Sequence, residues 1–368
     1  MNGEIQYYKI ILKVQSPVHI GSGRTLKKKE YYYDHRMKKA KIIDLEKFAV
    51  LINSKGLFDS YLEYMSYQGG YDLREYFRRN RITNSELESV IAYEIDSSDL
   101  VIEGKQFDID TFVKDAYGKP YIPGTSLKGC LRTVLLANYI MSSSSSYDED
   151  RKAVRNADFT KRQKDLLRQE GRDLQVKTFY TLGKLNEKPK HRFNAVNDIM
   201  QGIIISDSEP LDTDCLALCQ KNDRKLNGDV TNLPTYMECL KPGTRITFDL
   251  KIDTAVTDIT VEFILDSIKL FARTYCNCFL NAFYKTPQTL PDNTVYIGGN
   301  TGFPTKTVIY NMFGREEGKE ITVKILSALG FRAKNAGDIS LEVSPHILKT
   351  TMFNQQQYRM GETEITII

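Results

Sequence analysis

Strand-like runs and amphipathic helical stretches follow one another twice along this chain of 368 residues, and that order restricts the fold more than any other feature. In the first block, Ile5–Val14 is rich in Ile, Tyr and Val and predicts a strand, with SPVHIGSGR after it as a Gly-punctuated loop. Glu30–Asp34 and Lys41–Ile43 predict short strands flanking a basic turn. Leu45 to about Tyr93 predicts helix, because Leu57, Tyr61, Tyr64 and Met65 recur at helical spacing. Gly69-Gly70 breaks that run, and Thr83 with Glu86 three residues on predicts a capping box. Phe107–Lys114 predicts a strand. A helix is expected from Ser126 to about Met141, with Leu127, Leu131, Val134, Leu135 and Tyr139 on its apolar face.

The second block repeats the mixture. Gly202–Ser206, Cys215–Gln220 and Met237–Leu240 predict strands. Lys241-Pro242-Gly243-Thr244 predicts a turn joining Met237–Leu240 to Arg245–Ile252 as a hairpin. Asp258 is expected to cap a helix running to about Tyr284, buried along Ile264, Ile268, Phe271, Tyr275, Phe279 and Phe283. Val295–Ile297 predicts a strand, Glu320–Leu329 a helix and Glu364–Ile368 a terminal strand. Hairpins mixed with helices favour an α+β fold over a doubly wound parallel sheet, and split β-α-β units of ferredoxin type fit both blocks. The expected division is 1–212 and 213–368. A basic insertion or mobile arm is expected over about 142–195, from the serine run Ser142–Ser146 and the charged stretch after it.

Net charge is only +4, but it is segregated. Arg24–Lys41 holds eight bases and two acids, Arg151–Phe193 thirteen bases and five acids, and Glu94–Asp110 six acids and one lysine. Such a chain can present a positive face without being basic overall. No run approaches the ~18 apolar residues of a membrane span, and the N-terminus carries no signal-peptide pattern. The six cysteines include no CxxC pair and the four histidines are scattered, so buried thiols in a cytoplasmic chain are expected rather than disulfides or zinc.

Three glycine loops carry the binding chemistry. They are Gly21-Ser22-Gly23-Arg24, then Gly124-Thr125-Ser126-Leu127-Lys128-Gly129 entering a helix, then Gly298-Gly299-Asn300-Thr301-Gly302 followed by Lys306. At the second loop Thr125 or Ser126 is expected to cap the helix, leaving backbone N–H groups and the helix dipole for an anion. Lys128 and Arg132 lie four apart on one face above that end. A phosphodiester suits this arrangement. The loop is not a P-loop, since Cys130-Leu131 follows Gly129 where Lys-Ser/Thr is required, and the third loop lacks the GxGxxG spacing. Tyr31-Tyr32-Tyr33 between basic clusters suits base stacking, or else covers the core.

Catalytic support is thinner. His19 beside Ser22 could act as a base in RNA cleavage, or be a hydrogen-bonded structural histidine. Asp207, Glu209, Asp212 and Asp214 could hold Mg²⁺, or form a turn with capping aspartates. No cofactor is expected.

PVHIGSG, FVKDAYGKPYIPGTSLKGCLRTVLL, IIISDSEPLD and IGGNTGFPTKT together resemble the RAMP proteins of CRISPR systems. Their order and spacing, with the tail RMGETEITI, are most similar to the fifth Csm subunit of type III-A interference complexes. Thr125 and Cys130 stand where that family often carries Ser and Ala, and Pro304 is less typical. The resemblance implies two RNA-recognition-motif-like (ferredoxin-like) domains with Gly-rich loops. It implies a non-catalytic, RNA-binding subunit that caps the RAMP filament at the 3′ part of the crRNA. It also implies a part in crRNA 3′-end maturation through host nucleases, with crRNA and neighbouring RAMP subunits as partners. The loops it marks for RNA contact are Gly21–Arg24, Gly124–Gly129 with Arg132, and Gly298–Gly302 with Lys306. The alternatives are an endoribonuclease processing precursor crRNA with His19, and a metal-dependent nuclease using Asp207 and Asp212.

Overall fold

In the computed structural model, residues 3–67, 71–102, 107–160, 165–183, 194–331 and 336–368 are described. The expected break at Gly69-Gly70 lies outside them. Strand β1 (Ile5–Val14) alternates as its sequence requires, with Ile10, Leu12 and Val14 fully buried and Lys9 and Lys13 outward. The loop expected after it is instead β2 (Gly21–Leu26), an irregular strand whose register with its partner shifts between Gly21 and Thr25. β3 (Tyr31–Asp34) and β4 (Lys39–Ile43) follow as expected.

The long helical stretch is divided into α1 (Leu45–Ser54), α2 (Phe58–Ser66), α3 (Leu73–Arg79) and α4 (Asn84–Ser89), and ends in strand β5 (Ile91–Asp96). Thr83 and Glu86 do form the capping box of α4. These short helices close a core of their own around Phe48, Ile52, Tyr64, Tyr76 and Phe77. β6 (Ile109–Phe112) then leads to α5 (Gly124–Ser142).

The expected mobile arm packs where it is described. α6 (Asp148–Arg155) and α7 (Arg168–Phe179) bury Tyr147, Val154, Leu174 and Phe179, so apolar residues spaced among the charges anchor it. After β7 (Ile203–Ile205) come β8 (Leu216–Lys225), β9 (Val230–Leu240) and β10 (Arg245–Asp253). Next are α8 (Val261–Cys278), β11 (Thr294–Tyr296) and α9 (Ile309–Leu326). The chain closes with β12 (Ile347–Phe353), β13 (Gln356–Arg359) and β14 (Glu362–Ile367).

Two expectations in this half are corrected. Thr260, not Asp258, caps α8, its side chain accepting from the Phe263 amide at 3.2 Å. β9 and β10 are not a hairpin. The Lys241–Thr244 turn carries the chain from one sheet to the other, because the Gly243 amide donates to Val14 O at 2.8 Å and β10 then runs along β1.

One sheet has the order β11-β14-β1-β10-β7, every neighbour antiparallel. Its inner face packs on α5 and α8 to form the main core around Leu127, Leu131, Phe248, Leu250, Ile264 and Ile268. The second sheet runs β2-β6-β9-β8-β5-β4-β3, with β12 on β8 and β13 on β12. Among the described residues only β5·β8 and β6·β9 are parallel. The fold is α+β. The boundary expected near residue 212 is crossed by both sheets, since each pairs strands from before it with strands from after it.

Candidate nucleic-acid interface

The glycine segments, far apart in sequence, meet where β1 leaves the first sheet. The Gly299 amide donates to His19 O at 2.7 Å, Ile297 to Gly361 O at 2.9 Å, and Gly361 to Pro17 O at 2.9 Å. This lacing needs glycine. Gly298 has φ +89°, and a Cβ there would stand 2.3 Å from His19 O. Gly361 has φ +79°, and its Cβ would stand 2.3 Å from Thr301 Cγ2.

Between these segments lies a cleft of about 420 Å³. Of the expected contacts, Gly21, Ser126, Gly129, Gly298, Gly299 and Lys306 line it, joined by Cys130, Thr133 and Thr305. Ser126, Gly129, Cys130 and Thr133 are one face of α5 at i, i+3, i+4, i+7. That spacing was legible, but attention to charge pointed to the other face. Lys306 has no carboxylate partner among the described residues, and burial holds its ammonium below the usual lysine range. An anion in the cleft would relieve that cost. Left-handed Gly298 and Asn300 (φ +60°), one on each side of Gly299, bend the loop into the concave backbone that suits a phosphate.

The remaining candidates lie elsewhere. Gly124 is buried, and a Cβ would meet Ser206 O at 2.3 Å; its close backbone neighbour is the chain itself. The cap of α5 is neither Thr125 nor Ser126. Asp207 Oδ1 accepts from the Gly124 amide at 2.8 Å, so a carboxylate already occupies the helix end. Arg132 pairs with Asp198 at 2.7 Å, bonds Gln175 at 2.6 Å and stacks on Phe179. Lys128 feels the same Asp198 and is held low by burial. Both cations thus face away from the glycine cleft. Thr301 is buried and accepts from Thr305 Oγ1 at 2.9 Å, below Gly302 (φ +97°).

Ser22 bonds Thr111 at 2.6 Å, and Arg24 bridges Glu30 at 2.8 Å beside Gly23 (φ +81°), in the neighbouring groove. Within the basic stretch Lys27 is answered by Asp108, and Lys39 and Lys41 by Glu94. Tyr31 is core, its hydroxyl donating to Phe107 O at 2.6 Å, and Tyr33 packs on Phe107.

His19 is 6% exposed, its Nδ1 2.7 Å from Glu238 O and its ring edge-on to Phe112. Burial lowers its pKa from 6.5, so the folded chain favours neutral imidazole. The unfolded chain then binds more protons below about pH 6.5, so this contribution is complete above that value and is lost progressively as pH falls from there through the lowered pKa of the folded chain. His19→Gln is expected to flatten the fall in urea-midpoint stability between about pH 7 and 5. An unchanged slope would exclude His19 as its source. In the acidic cluster Asp207 is the cap and Asp212 reaches Lys119 at 3.6 Å. Among the described residues no group of three or more His, Cys, Asp or Glu could hold a metal ion, and no helix is long and apolar enough to cross a membrane.

Residues 11–303 match the model of the RAMP superfamily. The Csm5 protein of Enterococcus italicus is 28% identical over 354 residues, covering 87% of this chain and 84% of that protein. Csm5 of Mycobacterium tuberculosis is 30% identical over 269 residues, covering 71% and 67%. In fold, the chain resembles one from a cryo-EM Csm–crRNA–target RNA ternary complex of a type III-A CRISPR-Cas system, with TM-score 0.65 and 20% identity over 98% of this chain and all (100%) of that one. It also resembles crystalline T. onnurineus Csm5, with TM-score 0.50 and 18% identity over 96% and 99%.

Proposed function

The chain belongs to the RAMP superfamily, among the Csm5 proteins, and from that premise we propose that it is a non-catalytic RNA-binding subunit of a type III-A Csm complex. It caps the RAMP filament at the 3′ part of the crRNA, contacts neighbouring RAMP subunits, and serves crRNA 3′-end maturation by engaging host nucleases. The observation that carries this reading is the convergence on one cleft of three glycine segments and Lys306, which has no carboxylate partner among the described residues. The threading β1-α5-β7-β10-α8-β14, with antiparallel order β14-β1-β10-β7, supports a ferredoxin-like unit for the first sheet.

The phosphate contacts are then Gly21, Ser126, Gly129, Gly298, Gly299 and Lys306. Lys306→Ala is expected to weaken binding of a fluorescent single-stranded RNA several-fold at 100 mM salt and to flatten the log–log salt slope by about 0.7 per lost contact. Arg132→Ala should leave that slope unchanged, because its guanidinium already pairs with Asp198. Equal losses in both variants would move the RNA to the other face of α5. Specific cutting of repeat RNA by the pure chain, abolished in His19→Ala, would overturn the non-catalytic reading.

A further inference from the structure

A second depression, about 590 Å³, lies on the other side of Lys306 and Thr133, which line both it and the glycine cleft. Its floor is aliphatic: Leu136, Val154, Leu174, Met312, Ile325 and Leu329, drawn from α5, α6, α7 and the α9 region. Its rim is acidic, formed by Glu149 and Asp150 at the start of α6 and by Glu170 and Asp173 on α7. Glu149 and Asp150 are answered by Lys152 and Lys177. Glu170 has no partner among the described residues, and Asp173 only accepts from the neutral Gln169 amide at 2.8 Å. Negative charge therefore stands over apolar ground inside a segment where bases outnumber acids thirteen to five.

This combination is hostile to an RNA strand, whose phosphates would meet Glu170 and Asp173. It matches a helix with an apolar face and basic flanks, laid into a groove between helices. We propose that this groove is a docking site for a basic amphipathic helix of a protein partner, separated from the RNA cleft by the Lys306 ridge. The site is distinct from the glycine cleft and does not depend on how that cleft is read. With Phe303, Lys306 and Thr307 of the third loop in its wall, a docked helix would lean on the same loop that lines the cleft.

The test uses the full chain and two labelled 18-residue peptides, followed by fluorescence anisotropy. Both carry Leu at i, i+3, i+4 and i+7; the remaining positions are Lys in one and Glu in the other. The Lys peptide should bind at least tenfold tighter than the Glu peptide. Glu170→Lys with Asp173→Lys, both on the surface of α7, should remove that preference. Leu329→Asp, which spoils the floor but leaves the rim, should weaken the Lys peptide at least tenfold, with circular dichroism reporting an intact fold; Val308→Asp, at a half-buried residue that also lines the groove, is the second apolar-lining variant should Leu329→Asp unfold. Equal binding of the two peptides would overturn the proposal. So would a floor variant, correctly folded, that binds as the wild type does. A floor variant that loses single-stranded RNA as Lys306→Ala does would give the groove to RNA instead. Failure of wild-type RNA binding with the peptide preference intact would count against the RNA reading alone.

Discussion

Glu238→Ala is expected to lower the free energy of unfolding by about 3–5 kcal/mol, read as a fall in urea midpoint at constant slope. Glu238 is fully buried on β9, between Met237 and Cys239. Its carboxylate accepts from the Phe112 amide at 2.7 Å and the Tyr93 hydroxyl at 2.6 Å, and pairs closely with the Lys114 ammonium. Truncation leaves Lys114, only 13% exposed in its side chain, without a counter-charge, and the Phe112 amide without an acceptor. A buried pair contributes little beyond an apolar pair of similar volume, while breaking it costs much. Glu238→Met with Lys114→Met should therefore recover the part of the loss that comes from the unpaired ammonium, while the unbonded Phe112 amide and Tyr93 hydroxyl keep their cost. A single-variant cost below about 1 kcal/mol would refute the buried ion pair as a stabilising element.

Gly298→Ala is expected to cost about 2–5 kcal/mol and to reduce RNA affinity at least tenfold. Two effects add. The left-handed φ of +89° disfavours any side chain, and the Cβ would stand 2.3 Å from His19 O, a backbone atom that cannot swing aside. Gly228→Ala separates them. Gly228 has a similar φ of +92° in the β8–β9 turn, with nothing within 4 Å of its Cβ. It should cost only the backbone strain, about 1–2 kcal/mol, and leave RNA binding untouched. Matching behaviour of the two variants would remove the close approach at His19 as the reason for glycine, and with it the laced cleft.

Much of the fold was legible locally. β1 was readable from its Ile, Tyr and Val content, the α4 capping box from a four-residue pattern, and α5 and α8 from stripes at the 3.6 period, because each is a property of the residues themselves or of neighbours within about a turn. What failed was long-range. GSGRTL carries the glycines of a loop, yet β6 recruits it as an irregular strand. KPGT has the residues of a hairpin turn, yet β10 finds β1 rather than β9. β12 and β13 had no signal strong enough to be read beside the β8 edge that pairs β12.

The candidate site divides the same way. By itself, the sequence determined that glycine must stand at bends near Lys or Arg, since freedom from a Cβ and the sign of a charge are properties of the residue. Only the tertiary structure decided which bends meet and which cations remain available. Asp207 takes the α5 N-terminus and Asp198 takes Arg132, while Lys306 is left facing the cleft with no carboxylate partner among the described residues. Pairing energies fall off within a few ångströms, and residues as far apart as Arg132 and Asp198, or Pro17 and Gly361, are brought within that range only by the packing of the two sheets and their helices.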